Sequence, residues 1–402
     1  MMFIIIIILN LYFLNRFYFY KKIIFNYPTI EQLIESNNYR LINHTFTTEN
    51  GYFLTVQRVL PKNYHLFMFD DRKPVIIVPG MFVSSNIFMF QSPNVKSKNY
   101  CSNIVFCLLR TGRYDVWLMN LRGSSMSDQH ISLSTNNSEY WNYTFEDMAI
   151  YDLPAMIDYI KHETNTNHKI AMIGYSMGGT IQSIFMMMRP EHSSQIHPYV
   201  SWSPAIYLTD TKVCLSFVKN FPQLPWPKII RFTLNLVQRY LKDYLLTYNA
   251  NIVANLFSIA SGEGEQMNTT LVPLFWNLAD PTGEKSLILD HFLSIIINKK
   301  FVQFHANKHL QPLIDSPDMF HEYPWQYIPK NLTILVMYGS SDTVVTPNDL
   351  HTFVKKLKQN GVNVQLYKVK SHLWNHINFV TGNDAERLVI HPTIEFLDHY
   401  FY

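Results

Sequence analysis

Short apolar runs alternate along this chain with longer stretches whose hydrophobic residues recur at helical spacing. Pro74 to Val78, Tyr114 to Met119, Lys169 to Ile173, Tyr199 to Ser203, Leu332 to Tyr338 and Val362 to Val369 read as strands. Strands and helices in alternation predict an α/β fold with a mostly parallel, doubly wound sheet. Thr144-Phe145-Glu146-Asp147 has the capping-box pattern, and Phe145, Ala149, Leu153, Met156, Ile157 and Ile160 follow at helical spacing. Pro154 must kink that helix or restart it, with Asp152 as the new cap. From about Ile206 to Tyr323 the alternation gives way to helical stretches broken by Pro222, Pro225, Pro227, Pro273 and Pro281. This predicts an inserted, mainly helical cap. The expected division is a targeting segment at 1–25, the first part of the core at 26–205, the cap at 206–323 and the rest of the core at 324–402.

Composition narrows the function classes. With 402 residues, 48% hydrophobic and 16% charged, the chain can bury a large core, which excludes disorder as its main state. The 33 basic and 30 acidic residues are nearly balanced, and no basic run is long enough to track phosphates, so nucleic acid is not the expected partner. Protonating all 16 histidines would raise the formal charge from +3 to +19, a strongly cationic surface in an acidic compartment. Only three cysteines occur, Cys101, Cys107 and Cys214. Cys101 and Cys107 are six apart in what reads as one helix, on different faces, so free buried thiols are expected.

Met1 to Leu14 form an apolar run of the length of a signal-peptide core, too short for a membrane span. No positive charge precedes it and no small-residue cleavage site follows, which leaves an uncleaved anchor as the alternative. Five acceptor sequences for N-glycosylation, at Asn43, Asn136, Asn142, Asn268 and Asn331, fit entry into the secretory route.

The strongest chemical signal is the apolar strand Ile170 to Ile173 running into Gly174-Tyr175-Ser176-Met177-Gly178 and then a helical pattern. This is the context of a nucleophile elbow, whose tight turn leaves no room for side chains at Gly174 and Gly178. A serine hydroxyl needs an imidazole to take its proton and a carboxylate to orient the imidazole. Asp342, in the loop after the strand Leu332 to Tyr338, is the expected acid. Asp280, Asp290, Asp315 and Asp318 also lie between the serine and the last histidines, but no strand precedes them. His372 and His376 are both placed to be the base, and spacing does not separate them. The oxyanion donors expected are the backbone N–H groups of Met177 and of Met81, the latter in Pro79-Gly80-Met81-Phe82.

Further motifs occur in a fixed order: Glu49-Asn50-Gly51-Tyr52-Phe53-Leu54, Tyr114-Asp115-Val116-Trp117-Leu118 with Asn120-Leu121-Arg122-Gly123, and Phe145-Glu146-Asp147-Met148-Ala149 with Tyr151-Asp152-Leu153-Pro154-Ala155. Together with the elbow they resemble the acid lipase family of α/β-hydrolases, from about Tyr27 to the end. The family's closing signature matches Asn375-His376, Phe379-Val380 and Gly382-Asn383-Asp384-Ala385, which selects His376 over His372. Pro79 and Tyr175 stand where the family usually has histidine, and Cys214 is the cap's only cysteine where relatives carry a cap disulfide. The resemblance implies hydrolysis of long-chain fatty-acid esters in neutral lipids without metal or organic cofactor, at a membrane, droplet or micelle interface. The catalytic set it implies is Ser176, Asp342 and His376, and the location expected is secreted or lysosome-like. A soluble carboxylesterase or acyltransferase, and a non-catalytic lipid-binding protein, are the alternatives.

Overall fold

The computed structural model describes residues 29–64, 71–89, 101, 103–212, 224–236, 258, 261–267, 285–304 and 321–401. Among the described residues, nine strands form one sheet: β1 (Tyr39–Thr47), β2 (Tyr52–Pro61), β3 (Lys73–Val78), β4 (Tyr114–Met119), β5 (Gln129–His130), β6 (Ile170–Tyr175), β7 (Ile196–Trp202), β8 (Thr333–Tyr338) and β9 (Asn363–Lys368). The helices used below are α1 (Ile104–Arg110), α2 (Leu153–Thr164), α3 (Met177–Met188), α4 (Ile288–Asn298) and α5 (Pro347–Gln359).

The sheet order is β1-β2-β4-β3-β6-β7-β8-β9, with β5 beside β2. The β1/β2 and β2/β4 pairs are antiparallel, and every pair from β4/β3 to β8/β9 is parallel. Successive side chains of the central strands go to opposite faces. Ile76, Val78, Trp117 and Met119 join one hydrophobic cluster, whereas Val75, Ile77, Val116 and Leu118 join another. Both faces are therefore covered. From β3 the chain builds outward on one side to β4 and later on the other side to β6. That reversal leaves a crevice at the carboxyl ends of β3 and β6, the usual ligand position in such sheets.

All six expected strands are present within a few residues of their expected limits. The hairpin β1/β2 comes before what reads in the sequence as the first strand. Its hydrophobic pattern is hidden because β2 buries polar Gln57 and Arg58. Arg58 is satisfied by Asp115 at 2.8 Å and lies 4.8 Å over the Trp117 ring.

Two local expectations are corrected. Asp152 caps nothing: Met148–Asp152 is a π-helical turn leading directly into α2, and Pro154 just inside α2 lacks an N–H for the preceding turn, where the Ile150 carbonyl accepts instead from Arg189 Nε at 2.8 Å. The Asp152 carboxylate is instead committed to a buried pair with Arg122. Thr144 does form the expected capping box with Asp147. Cys101 and Cys107 are joined by a disulfide, with Cα atoms 5.0 Å apart. The helix begins only at Ile104, after its cap Asn103, so Cys101 lies before it and reaches back to its first turn. Cys214 lies outside the described residues.

Helix α4, in the segment expected to be the cap, is buried almost all round. Its His291 stacks on Phe145 at 4.0 Å and Phe304 at 5.1 Å. Nε2 donates to the Val302 carbonyl at 2.9 Å, and Nδ1 has no hydrogen-bond partner. Burial pushes its pKa down to about 3. The +19 ceiling therefore does not apply to the folded chain at mildly acidic pH, and burial lowers His44 and His197 as well. Because the unfolded chain takes up this proton near pH 6.5 and the folded one does not, His291 costs stability as pH falls, by about 1.4 kcal/mol per pH unit between the two values. The stability deficit of His291→Leu should shrink by about 2–3 kcal/mol between pH 6.5 and 4.5. Urea unfolding at both pH values checks this, and a constant deficit rejects it.

Candidate active site

Strand β6 ends at Tyr175 and α3 begins at Met177, so Ser176 occupies the sharp turn between them with φ 53° and ψ −115°. Non-glycine residues rarely adopt such angles, and a strained residue at the end of a central strand points to function. The neighbouring glycines are steric necessities. A Cβ at Gly178 would lie 2.3 Å from the Val78 carbonyl oxygen, and one at Gly174 would lie 2.5 Å from the Gln182 side chain.

The structure brings the three expected side chains together from loops after β6, β8 and β9. His376 Nε2 lies 2.8 Å from Ser176 Oγ, and His376 Nδ1 lies 2.8 Å from Asp342 Oδ2. A carboxylate can only accept, so Nδ1 carries the proton and Nε2 is free to accept from the serine hydroxyl. Asp342 Oδ1 accepts from the backbone N–H groups of Val344 and Val345, each at 2.9 Å. Asp342 and His376 are buried, whereas Ser176 keeps partial exposure. His372 is exposed, and its carbonyl accepts from Ser340. Among the other acids weighed, Asp290 lies inside α4, while Asp280, Asp315 and Asp318 lie outside the described residues.

Each loop is held by groups that spacing alone does not reveal. Asn375 donates to the Gly262 carbonyl at 2.7 Å and accepts from Asn378 N–H. His376 N–H donates to the Ser261 carbonyl at 3.1 Å. Gly262, at φ 104°, admits no side chain because a Cβ would lie 1.9 Å from the Ser341 carbonyl oxygen. Residues 261–264, inside the segment expected to be the cap, thus clamp the acid and histidine loops. Tyr175 donates from its phenol to the His376 carbonyl at 3.0 Å. Burial raises its pKa, so the phenol stays neutral and remains a donor.

Val78 pairs with Gly174 in the ladder, which brings the loop after β3 beside the nucleophile. A Cβ at Gly80 would lie 3.2 Å from the Ser176 Cβ, so the Gly80-Met81 peptide runs alongside the serine. Farther on, Ser85 donates to Gln57 at 3.0 Å and to Asn120 at 2.9 Å, and so ties this loop to the sheet. Met177 opens α3, where the first N–H groups have no partner inside the helix. The loop after β3 and the start of α3 therefore both lie beside Ser176.

Among the described residues, one His/Cys/Glu cluster has metal-ligand spacing, Cys101 with Glu386 and His391. The Cys101 sulfur is bonded to Cys107, and a metal needs the thiolate. Four of the five sequon asparagines, Asn43, Asn136, Asn142 and Asn331, are exposed, and Asn268 lies outside the described residues. No described helix is long and apolar enough to cross a membrane, and residues 1–28, with the apolar leader, are not among those described.

Comparison with known proteins gives the same picture. The chain is 24% identical to human gastric triacylglycerol lipase over 375 residues, covering 92% of this chain and 90% of that protein. It is 25% identical to Drosophila melanogaster Lipase 1, covering 92% and 79%. It is 26% identical to Arabidopsis thaliana Triacylglycerol lipase 1, covering 90% and 88%. The crystal structure of lip1 from Acinetobacter baumannii AYE shares the fold at TM-score 0.50 and 12% identity, covering 92% and 94%. Residues 30–92 match the family described as a partial α/β-hydrolase lipase region, and residues 73–381 match the α/β-hydrolase fold family. With that match spanning most of its length and a nucleophile elbow at the sheet's reversal point, the chain belongs to the acid lipase family of α/β-hydrolases.

Proposed function

We propose that this protein is a lipase that cleaves carboxylic esters of long-chain fatty acids in neutral lipids through an acyl-enzyme on Ser176. The observation that carries the reading is the unbroken relay from Ser176 through His376 to Asp342, with both links at 2.8 Å. Ser176 Oγ attacks the ester carbonyl carbon as its proton passes to His376 Nε2, and Asp342 stabilises the imidazolium. Met81 and Met177 N–H groups meet the negative oxygen of the tetrahedral intermediate. Collapse breaks the bond to the alcohol, which leaves with the proton from Nε2. Water then attacks the acyl-enzyme by the same route, giving the fatty acid and restoring the serine. The names of the relatives, triacylglycerol lipases among them, support a neutral-lipid substrate.

In this reading the span 206–323 serves as the cap over the crevice and supplies the acyl-chain surface, with 213–223, 237–257, 259–260, 268–284 and 305–320 lying outside the described residues. Trp226 packs against the core there and Phe232 is 69% exposed, while Phe217, Phe221, Phe257 and Phe275 lie outside the described residues. The apolar leader and the exposed sequons support a secreted or endomembrane-lumen protein. The test is a chain-length series, from p-nitrophenyl butyrate to oleate and then emulsified triolein. A lipase gains about 10-fold or more in kcat/KM toward the long chains, because each buried methylene contributes about 0.8 kcal/mol. A flat or falling series makes the chain a short-chain esterase.

A further inference from the structure

Immediately after β7, Ser203 adopts φ 45°, a conformation unfavourable for any residue with a Cβ. Its N–H is tied to the Met337 carbonyl on β8 at 2.9 Å, which fixes the turn. Its side chain is fully buried, and its hydroxyl lies 2.5 Å from Asp342 Oδ2 and 3.3 Å from His376 Nδ1. The hydroxyl donates to the carboxylate, since Oδ2 has nothing to give. Asp342 therefore has four donors: two backbone N–H groups on Oδ1, and the imidazole N–H and the Ser203 hydroxyl on Oδ2. Together they fix the carboxylate in place against the imidazole.

We infer that Ser203 is a positioning residue for ester hydrolysis, a fourth member of the relay whose hydroxyl shares the Asp342 carboxylate with the imidazole and so sets how far activity reaches into acidic pH. This rests on the reading of Ser176, His376 and Asp342 as the catalytic set. Ser203 touches neither substrate nor reacting atom and acts through the acid. Its hydroxyl shares the carboxylate's charge with the imidazole. Without it, the imidazole N–H is the only donor left on Oδ2, so the carboxylate's charge bears on the imidazole alone. A stronger hold on the imidazolium takes the base out of catalysis at a higher pH, so the acid limb of activity should move up. Other ionisable groups on the elements packed around the acid are the neutral phenol of Tyr175 on β6 and buried Asp349 in the first turn of α5. Lys212, Glu263, Glu265 and His372 are all exposed there, and a change at Ser203 leaves each of them in place.

The test is the pH profile of kcat/KM on a soluble short-chain ester for the parent, Ser203→Ala and Ser203→Gly. Glycine accepts φ 45° without strain, so the second variant separates loss of the hydroxyl from backbone effects. In both variants the acid limb should move to higher pH by about 0.5–1 unit, which is about a 3- to 10-fold extra loss of rate below the limb relative to the plateau. A limb that stays in place or moves to lower pH in the glycine variant overturns the inference, whatever the plateau does. Ser176→Ala in the same assay keeps the two questions apart. If it is inactive while the limb is unmoved, the relay stands and Ser203 has no part in it; if it is active, the relay itself is wrong.

Discussion

Ser176→Ala lowers kcat/KM toward a long-chain ester by about 10⁵- to 10⁶-fold, the largest effect expected of any single substitution here. The change removes one oxygen and nothing else: the Cβ stays, and the elbow keeps its φ of 53°. Thermal unfolding should therefore match the parent closely. What disappears is the only route by which His376 can act, since its Nε2 has no proton to take from a nucleophile and no acyl-enzyme can form. Rate above the uncatalysed reaction falls to what the oxyanion donors and substrate binding supply, about 10³- to 10⁴-fold. Ser176→Ala with His376→Ala should be little worse than either alone, because the relay works as a unit. Asp342→Asn is milder, at about 10⁴-fold, because it leaves the imidazole in place in the wrong tautomer. Titration of fatty acid released from emulsified triolein, with stoichiometric labelling by an organophosphorus ester, reads both. Activity above about a hundredth of the parent in Ser176→Ala would end the serine mechanism.

The parts of this molecule legible in the sequence are those where one physical demand acts alone. Strands β3, β4, β6 and β8 are buried on both faces, so each is a nearly continuous apolar run. The elbow is legible because its turn tolerates only glycine at two positions. Where two demands compete, the sequence misleads. Strand β2 carries Gln57 and Arg58 in the core because partners on neighbouring segments satisfy them, and no local pattern displays a partner. Asp152 has the composition of a cap and the geometry of a buried counterion. Cys101 and Cys107 have helical spacing, but the helix starts between them. In the site, the family signature selects His376, and geometry gives the reason: His372 lies four residues earlier on the same loop but outside the crevice. Ser203 and the 261–264 clamp leave no local signal, since their roles exist only once β7, β8 and the last loop are assembled.

Asp152→Ala should be the most destabilising substitution outside the elbow, at about 3–5 kcal/mol. Arg122 is fully buried and donates from Nε to both Asp152 oxygens, at 3.2 and 3.0 Å, and from Nη2 to the same carboxylate. Its guanidinium lies 4.1 Å over the Tyr52 ring, and Nη2 reaches Asn50 at 3.2 Å, while Nη1 has no partner. Burial works to lower the arginine's pKa, but the charge and hydrogen bonds of Asp152 outweigh it and raise it, so the group stays charged at every accessible pH. Removing the carboxylate leaves a full positive charge in the core, met by the Tyr52 and Tyr143 ring faces and the Asn50 amide oxygen but by no counterion among these contacts. The damage should also reach the chemistry, because Asn120, two residues before Arg122, holds Ser85, which follows the loop after β3 that runs beside Ser176. Folded Asp152→Ala should therefore turn over more slowly, with a change in kcat larger than in KM. The double variant Arg122→Met with Asp152→Leu should recover most of the lost stability, since replacing both charges by apolar groups of similar volume removes the unpaired ion. Urea unfolding of the two variants is the measurement. If Asp152→Ala costs under about 1 kcal/mol, or the double variant is no better than the single, the pair is not what holds this part of the core together.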